Sequence, residues 1–116
     1  MKVLLDENLD HALRNLLGQH EVVTVSYMGW NGLKNGELLR AAEESGIEVL
    51  LTGDQTLHYE QNISRRRLAI VALSAIQLPI IKRNLSKIID AIHNAVPGTF
   101  EAVDCGTFSR KKPTGQ

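Results

Sequence analysis

Short runs of apolar or β-branched residues, separated by stretches with helical spacing, constrain this chain more than any other feature. VLLD at 3–6, EVVTV at 21–25, IEVLLT at 47–52 and LAIVAL at 68–73 are four to six residues long, and none keeps a strict apolar–polar alternation. Continuous runs of this kind belong to strands covered on both faces, and such strands build parallel sheets. Between them, Leu9, Ala12, Leu13, Leu16 and Leu17 recur at helical spacing and stop at Gly18. A second helix follows Asn35, carries Leu38, Leu39, Ala41 and Ala42, and closes at Gly46. Ile81, Leu85, Ile88, Ile89 and Ile92 predict a third helix, stopped by Pro97-Gly98. SYMGWNGLK reads as a loop, a short helix is expected between the third and fourth strands, and TFEAVD at 99–104 reads as an edge strand. The order β-α-β-α-β-(short α)-β-α-β predicts an α/β, three-layer α/β/α domain with a mainly parallel sheet of four to five strands. Residues 1–104 would form this single domain and 105–116 a flexible tail.

Composition narrows the setting. A chain of 116 residues, 43% hydrophobic, builds one core without disulfides. The lone cysteine, Cys105, fits a reducing cytoplasm. No run approaches the roughly 18 apolar residues of a membrane span, and the start lacks a secretory pattern. Five aromatic residues argue against modules that stack bases on aromatic platforms. The net charge of zero conceals an asymmetry. Residues 1–62 hold four basic residues (Lys2, Arg14, Lys34, Arg40) against ten acids, whereas residues 63–116 hold nine basic residues against three acids (Asp90, Glu101, Asp104). Two solvated faces would suffice to explain this, but so would a cation-gathering site beside an anion-attracting surface.

In open parallel sheets, sites form at the carboxyl ends of the strands. Asp6 ends the first predicted strand with Glu7 beside it, and Asp54 lies two residues past the third. Glu37 falls in the first turn of the second helix, where the helix dipole favours any carboxylate. As a structural feature, Asp54 would cap a helix and Glu37 would only complement the dipole. As a functional set, three carboxylates at one edge need a cation, and hard oxygen ligands suit Mg²⁺ or Mn²⁺. Arg65, Arg66 and Arg67 form a basic run before the fourth strand, and Lys82-Arg83 a pair expected at the start of the last helix. Each is a solvated turn or a grip for phosphates. His11, His20, His58 and His93 share no zinc-ligand spacing, and no nucleotide-phosphate loop is present.

Two families share parts of this pattern. Two-component receiver domains place an acidic pair after strand one and a phosphoacceptor after strand three, positions held here by Asp6-Glu7 and Asp54. Ser74 and Lys112-Pro113 stand in for the receiver's hydroxyl residue and Lys-Pro, but Ser74 follows Asp54 too soon and Lys112 lies beyond the last strand. The closer match runs through MKVLLDEN, VVTVSYMGWNGLKNGELLRAAEE, LLTGDQTLHYEQN and RRRLAIVAL. These segments resemble the PIN-like domains of small bacterial proteins regarded as candidate toxins of toxin–antitoxin pairs. The resemblance implies a metal-dependent ribonuclease in which Asp6, Glu37 and Asp54 are catalytic and hold Mg²⁺ or Mn²⁺. Many relatives carry a further acid where this chain has Thr56, and Glu7 or Glu60 would have to substitute. The expected partners are single-stranded RNA on Arg65, Arg66, Arg67, Lys82 and Arg83, an antitoxin protein, and a second copy in a homodimer. The alternative to the nuclease is a non-catalytic PIN-like binding module with an incomplete acidic site.

Overall fold

A computed structural model of the chain describes residues 1–57 and 62–106. Among them are five strands: β1 (Lys2–Leu5), β2 (Glu21–Thr24), β3 (Val49–Thr52), β4 (Ala69–Leu73) and β5 (Phe100–Val103). All four pairings are parallel, in the order β2-β1-β3-β4-β5. The helices are α1 (Val25–Met28), α2 (Asn35–Glu44), α3 (Leu78–Lys82) and α4 (Leu85–His93), and a 3-10 helix spans His11–Asn15. The α/β class and the parallel sheet follow the sequence expectation. The stretch between β3 and β4, where a short helix is expected, includes residues 58–61, which lie outside the described residues.

Strand parity divides the core in two. Val3, Leu5, Val49, Leu51, Val71, Leu73 and Val103 face one side, where Leu13 and Leu17 and the α3–α4 residues Ile81, Ile88 and Ile92 cover them. Leu4, Leu50 and Ile70 face the other, under Val25, Leu38, Leu39, Ala42, Leu57 and Ile63. Every residue of β3 and β4 is buried, which is why neither strand alternates in sequence. The result is three layers with the sheet in the middle.

The connections have different hands. From β1 to β2 the chain steps to one side with its 3-10 helix on the first face. From β2 to β3 and from β3 to β4 it steps the other way with its cover on the second face. These three crossovers therefore share one hand. The step from β4 to β5 continues in the same direction, yet α3 and α4 pack on the first face, so this crossover has the opposite hand. Such a reversal is rare. Without it the first face would be covered by a five-residue 3-10 helix alone, leaving Val49, Leu51 and Val71 bare.

Three local expectations change. The Leu9–Leu17 helix is a 3-10 segment that starts where Asp10 Oδ1 accepts the Ala12 N–H. The 26–34 loop opens with α1, capped by Thr24 Oγ1 on the Tyr27 N–H and ended by left-handed Gly29. The last helix is broken in two at Arg83-Asn84. Asn84 Nδ2 donates to the Ile80 carbonyl and to the Cys105 carbonyl beyond β5, so its side chain replaces helix continuation with a tie to the sheet. Cys105 is buried and its N–H donates to Ser74 Oγ, so the packed domain reaches past residue 104. Residues 107–116, most of the expected tail, lie outside the described residues.

Candidate functional site at the carboxyl edge of the sheet

Strand order reverses at β1, whose neighbours are β2 and β3, and the crevice at such a point is where ligands bind in open α/β sheets. Asp6 follows β1 directly, and its N–H donates to the Leu51 carbonyl. Its carboxylate is held at both oxygens: Oδ1 accepts the Glu7 N–H at 2.8 Å and Oδ2 accepts the Thr52 hydroxyl at 2.6 Å. The same Thr52 oxygen accepts the Asp54 N–H at 3.0 Å. One fully buried hydroxyl thus links the two strand-end acids across neighbouring strands. Asn8 Oδ1 accepts the Gly53 N–H at 3.2 Å and ties the loop after β1 to the loop after β3. Gly53 has no room for a side chain, since a Cβ there would overlap Ile76.

One Asp54 oxygen is taken up by its own turn. Asp54 Oδ1 accepts both the N–H and the hydroxyl of Thr56, at 2.9 and 2.8 Å. Thr56 therefore orients Asp54. Asp6 and Asp54 are both half-buried, which leaves each carboxylate an approach from solvent.

Glu37 starts α2 and so lies toward the same edge of the sheet, but it does not join the pair. Its Oε1 accepts the Lys34 N–H at 3.4 Å, closing the first turn of the helix. That length is at the weak end for such a bond, and the side chain is exposed. Among the described residues, no three His, Cys, Asp or Glu side chains come together as a metal-ligand set. The Asp6 and Asp54 carboxylates, whose residues share the Thr52 hydroxyl, are hard oxygen donors. They fit Mg²⁺ or Mn²⁺, which keep several waters and need only one or two protein carboxylates.

The basic residues separate. Arg65, Arg66 and Arg67 precede β4 and sit at its amino end, whereas Asp6 and Asp54 sit at the carboxyl ends. The length of β3 alone, about 13 Å at 3.3 Å per residue, lies between them. Arg66 is also engaged, its guanidinium 2.8 Å from Glu43 Oε1, while Glu43 Oε2 accepts the Arg67 N–H at 2.6 Å. Burial opposes ionisation of Glu43, but these two donors outweigh it and hold its pKa below the ordinary 4.5. Lys82 ends α3 and Arg83 caps it, rather than opening the last helix. Both are exposed next to Asn84, which is bonded to Cys105 just past β5, so this pair shares the carboxyl edge with the acids. Lys87, which the sequence did not single out, donates to the Asp104 carbonyl at the same edge. His58 and Glu60 lie outside the described residues. Thr52 and Asn8 are the site residues that sequence reasoning missed. Their only signal is position, each two residues from a strand-end acid.

Compared with protein-family models, curated proteins and solved structures, the chain matches none. No described helix is long and apolar enough to cross a membrane.

Proposed function

We propose that the carboxyl edge is a Mg²⁺- or Mn²⁺-dependent phosphodiesterase site acting on single-stranded RNA. The observation that carries this reading is the Asp6–Thr52–Asp54 linkage beside the point where strand order reverses. The resemblance of the sequence to PIN-like domains supports the same chemistry. A bound divalent ion supplies Lewis acidity, lowering the pKa of a coordinated water and offsetting charge on the phosphate. Asp6 and Asp54 hold it through oxygens open to solvent, and Thr52 fixes the Asp6 rotamer and the Asp54 main chain together. Glu37 gives up only a long capping bond when its carboxylate turns toward the pair. Lys82 and Arg83 hold the RNA backbone at that edge without reading bases.

The test is thermal unfolding and RNA cleavage with and without Mn²⁺. Saturating Mn²⁺ should raise the Tm of the wild type by mass action, and Asp6→Asn should lose both that rise and cleavage while keeping its far-ultraviolet spectrum. A wild type whose Tm ignores Mn²⁺ overturns the reading. If Mn²⁺ binds but neither the wild type nor Thr56→Asp cleaves, the domain is a non-catalytic module.

Strand order alone favours one second reading, because β2-β1-β3-β4-β5 is the order of receiver domains, although the hand of the β4–β5 crossover departs from the usual one. There Asp54 would accept a phosphoryl group. Ser74, the residue standing in for the receiver hydroxyl, already accepts the Cys105 N–H. A mass gain from a small phosphodonor with Mg²⁺, lost in Asp54→Asn, would establish this reading over the nuclease.

A further inference from the structure

One aromatic side chain at the carboxyl edge belongs neither to the core nor to the acid pair. Thr24 ends β2 beside Leu5, the residue before Asp6, so α1 begins one strand spacing, about 4.8 Å, from the start of the acid loop. α1 is held at both ends. Thr24 Oγ1 accepts the Tyr27 N–H at 3.0 Å, Gly29 closes the helix in the left-handed conformation, and the Trp30 N–H donates to the Val25 carbonyl. Val25, Met28 and Trp30 pack on the second face. Tyr27 is left outside, 76% exposed, and among the described residues its hydroxyl has no hydrogen-bond partner. Its ring lines an open pocket of about 280 Å³ along the free side of β2, with Arg14 on the wall and Glu21 at the far end. Among the described residues Arg14 forms no ion pair.

We propose that Tyr27 and Arg14 hold the nucleotide flanking the scissile phosphate, its base stacked on the Tyr27 ring and its outer phosphate on the Arg14 guanidinium. The proposal rests on the nuclease reading of the acids and gives the RNA a path across the sheet. In strand order, Tyr27 follows β2, Asp6 follows β1 and Asp54 follows β3. Lys82 and Arg83 adjoin Asn84, which bonds Cys105 just past β5. Four strand spacings, about 19 Å, separate the two ends of this path, with the acids between them. A strand of RNA crossing the edge is gripped by charge at one end and by stacking at the other. A ring on a fixed turn presents a flat face at little cost in entropy, because few torsions need ordering. Every base has a π face, so Tyr27 adds affinity without reading sequence. Five aromatic residues build no stacking platform, but one ring suffices for one base. Glu21 repels a further phosphate, which limits the pocket to a single nucleotide.

The experiment measures binding by fluorescence anisotropy in the Asp6→Asn background, which keeps the RNA intact. Two labelled probes are compared, a single-stranded hexanucleotide and a sugar–phosphate strand of the same length without bases. Tyr27→Ala should weaken binding of the hexanucleotide by about 5- to 150-fold, the range of one stacked base, and leave the base-free strand unaffected. Tyr27→Phe should bind both like the parent, because stacking does not use the hydroxyl. Arg14→Gln should weaken both and lower the salt slope by about 0.7, whereas Tyr27→Ala should leave the slope unchanged. Tyr27 and Arg14 are exposed, so these variants keep the fold. In the chain with Asp6 intact, Tyr27→Ala should also keep the Mn²⁺-dependent rise in Tm, since it removes no metal ligand. A Tyr27→Ala variant that binds the hexanucleotide like its parent, or loses the base-free strand equally, overturns the proposal and leaves the nuclease reading standing. So does an Arg14→Gln variant with an unchanged salt slope. A hexanucleotide that neither the parent nor the wild type binds overturns both.

Discussion

Thr52 occupies the last position of β3 with no exposed surface, yet its hydroxyl serves both strand-end acids. Replacing it by valine keeps the shape and leaves an Asp6 oxygen and the Asp54 N–H without their partner. Thr52→Val should cost about 1–3 kcal/mol in urea unfolding, and Thr52→Ser much less. Because the link also orients Asp6, the valine variant should lose more of the Mn²⁺-dependent Tm rise than its stability loss explains. Glu43 gives a pH prediction. Its folded pKa lies below the ordinary 4.5, so its stabilisation is fully present above that value and is lost as pH falls through the folded one. Glu43→Gln should therefore be less stable than the wild type near neutrality, with the two Tm curves converging below pH 4.5. Asp6 and Asp54 were legible because an acid ending an apolar run stands out locally. Thr52 was not, since threonine at a strand end is ordinary until its neighbour across the sheet is known.

At the scale of elements, the strands were read within one or two residues because uninterrupted apolar runs are local signals. The last helix was not. Ile81, Leu85, Ile88 and Ile92 keep helical spacing through Arg83-Asn84, and the break comes from a bond between Asn84 and a residue 21 positions away. That break puts Lys82 and Arg83 at the end of a short helix rather than the start of a long one, still at the carboxyl edge, while the arginine run lies at the opposite edge. Charge reversal at Lys82 and Arg83 should therefore weaken RNA binding and lower the salt slope by about 0.7 for each phosphate no longer neutralised. Reversal at Arg65 and Arg67 should change cleavage far less. Equal losses from both pairs, measured by fluorescence anisotropy across a salt series, would show that the RNA path reaches the amino edge.

For the whole molecule, one sheet serves two apolar layers, and neither layer has another backing. Leu5 anchors the first and Leu50 the second, both with essentially no exposure. Leu5→Ala and Leu50→Ala should each cost about 2–5 kcal/mol, a large share of the roughly 5–15 kcal/mol of a domain this size. Each should still unfold in one transition by fluorescence and circular dichroism together, since the strands belong to both layers at once. Two separated transitions would mean that the layers fold independently. The sequence by itself determined the alternation of strands and helices, their burial on both faces, and the acids after the first and third strands. All of these are written in short-range patterns of hydrophobicity. Only the tertiary structure decided the strand order, the reversed hand of the β4–β5 connection, and which edge each charged group occupies. Those outcomes depend on which sheet face remains bare once the earlier helices have packed, a competition for apolar surface that no local stretch of the chain records.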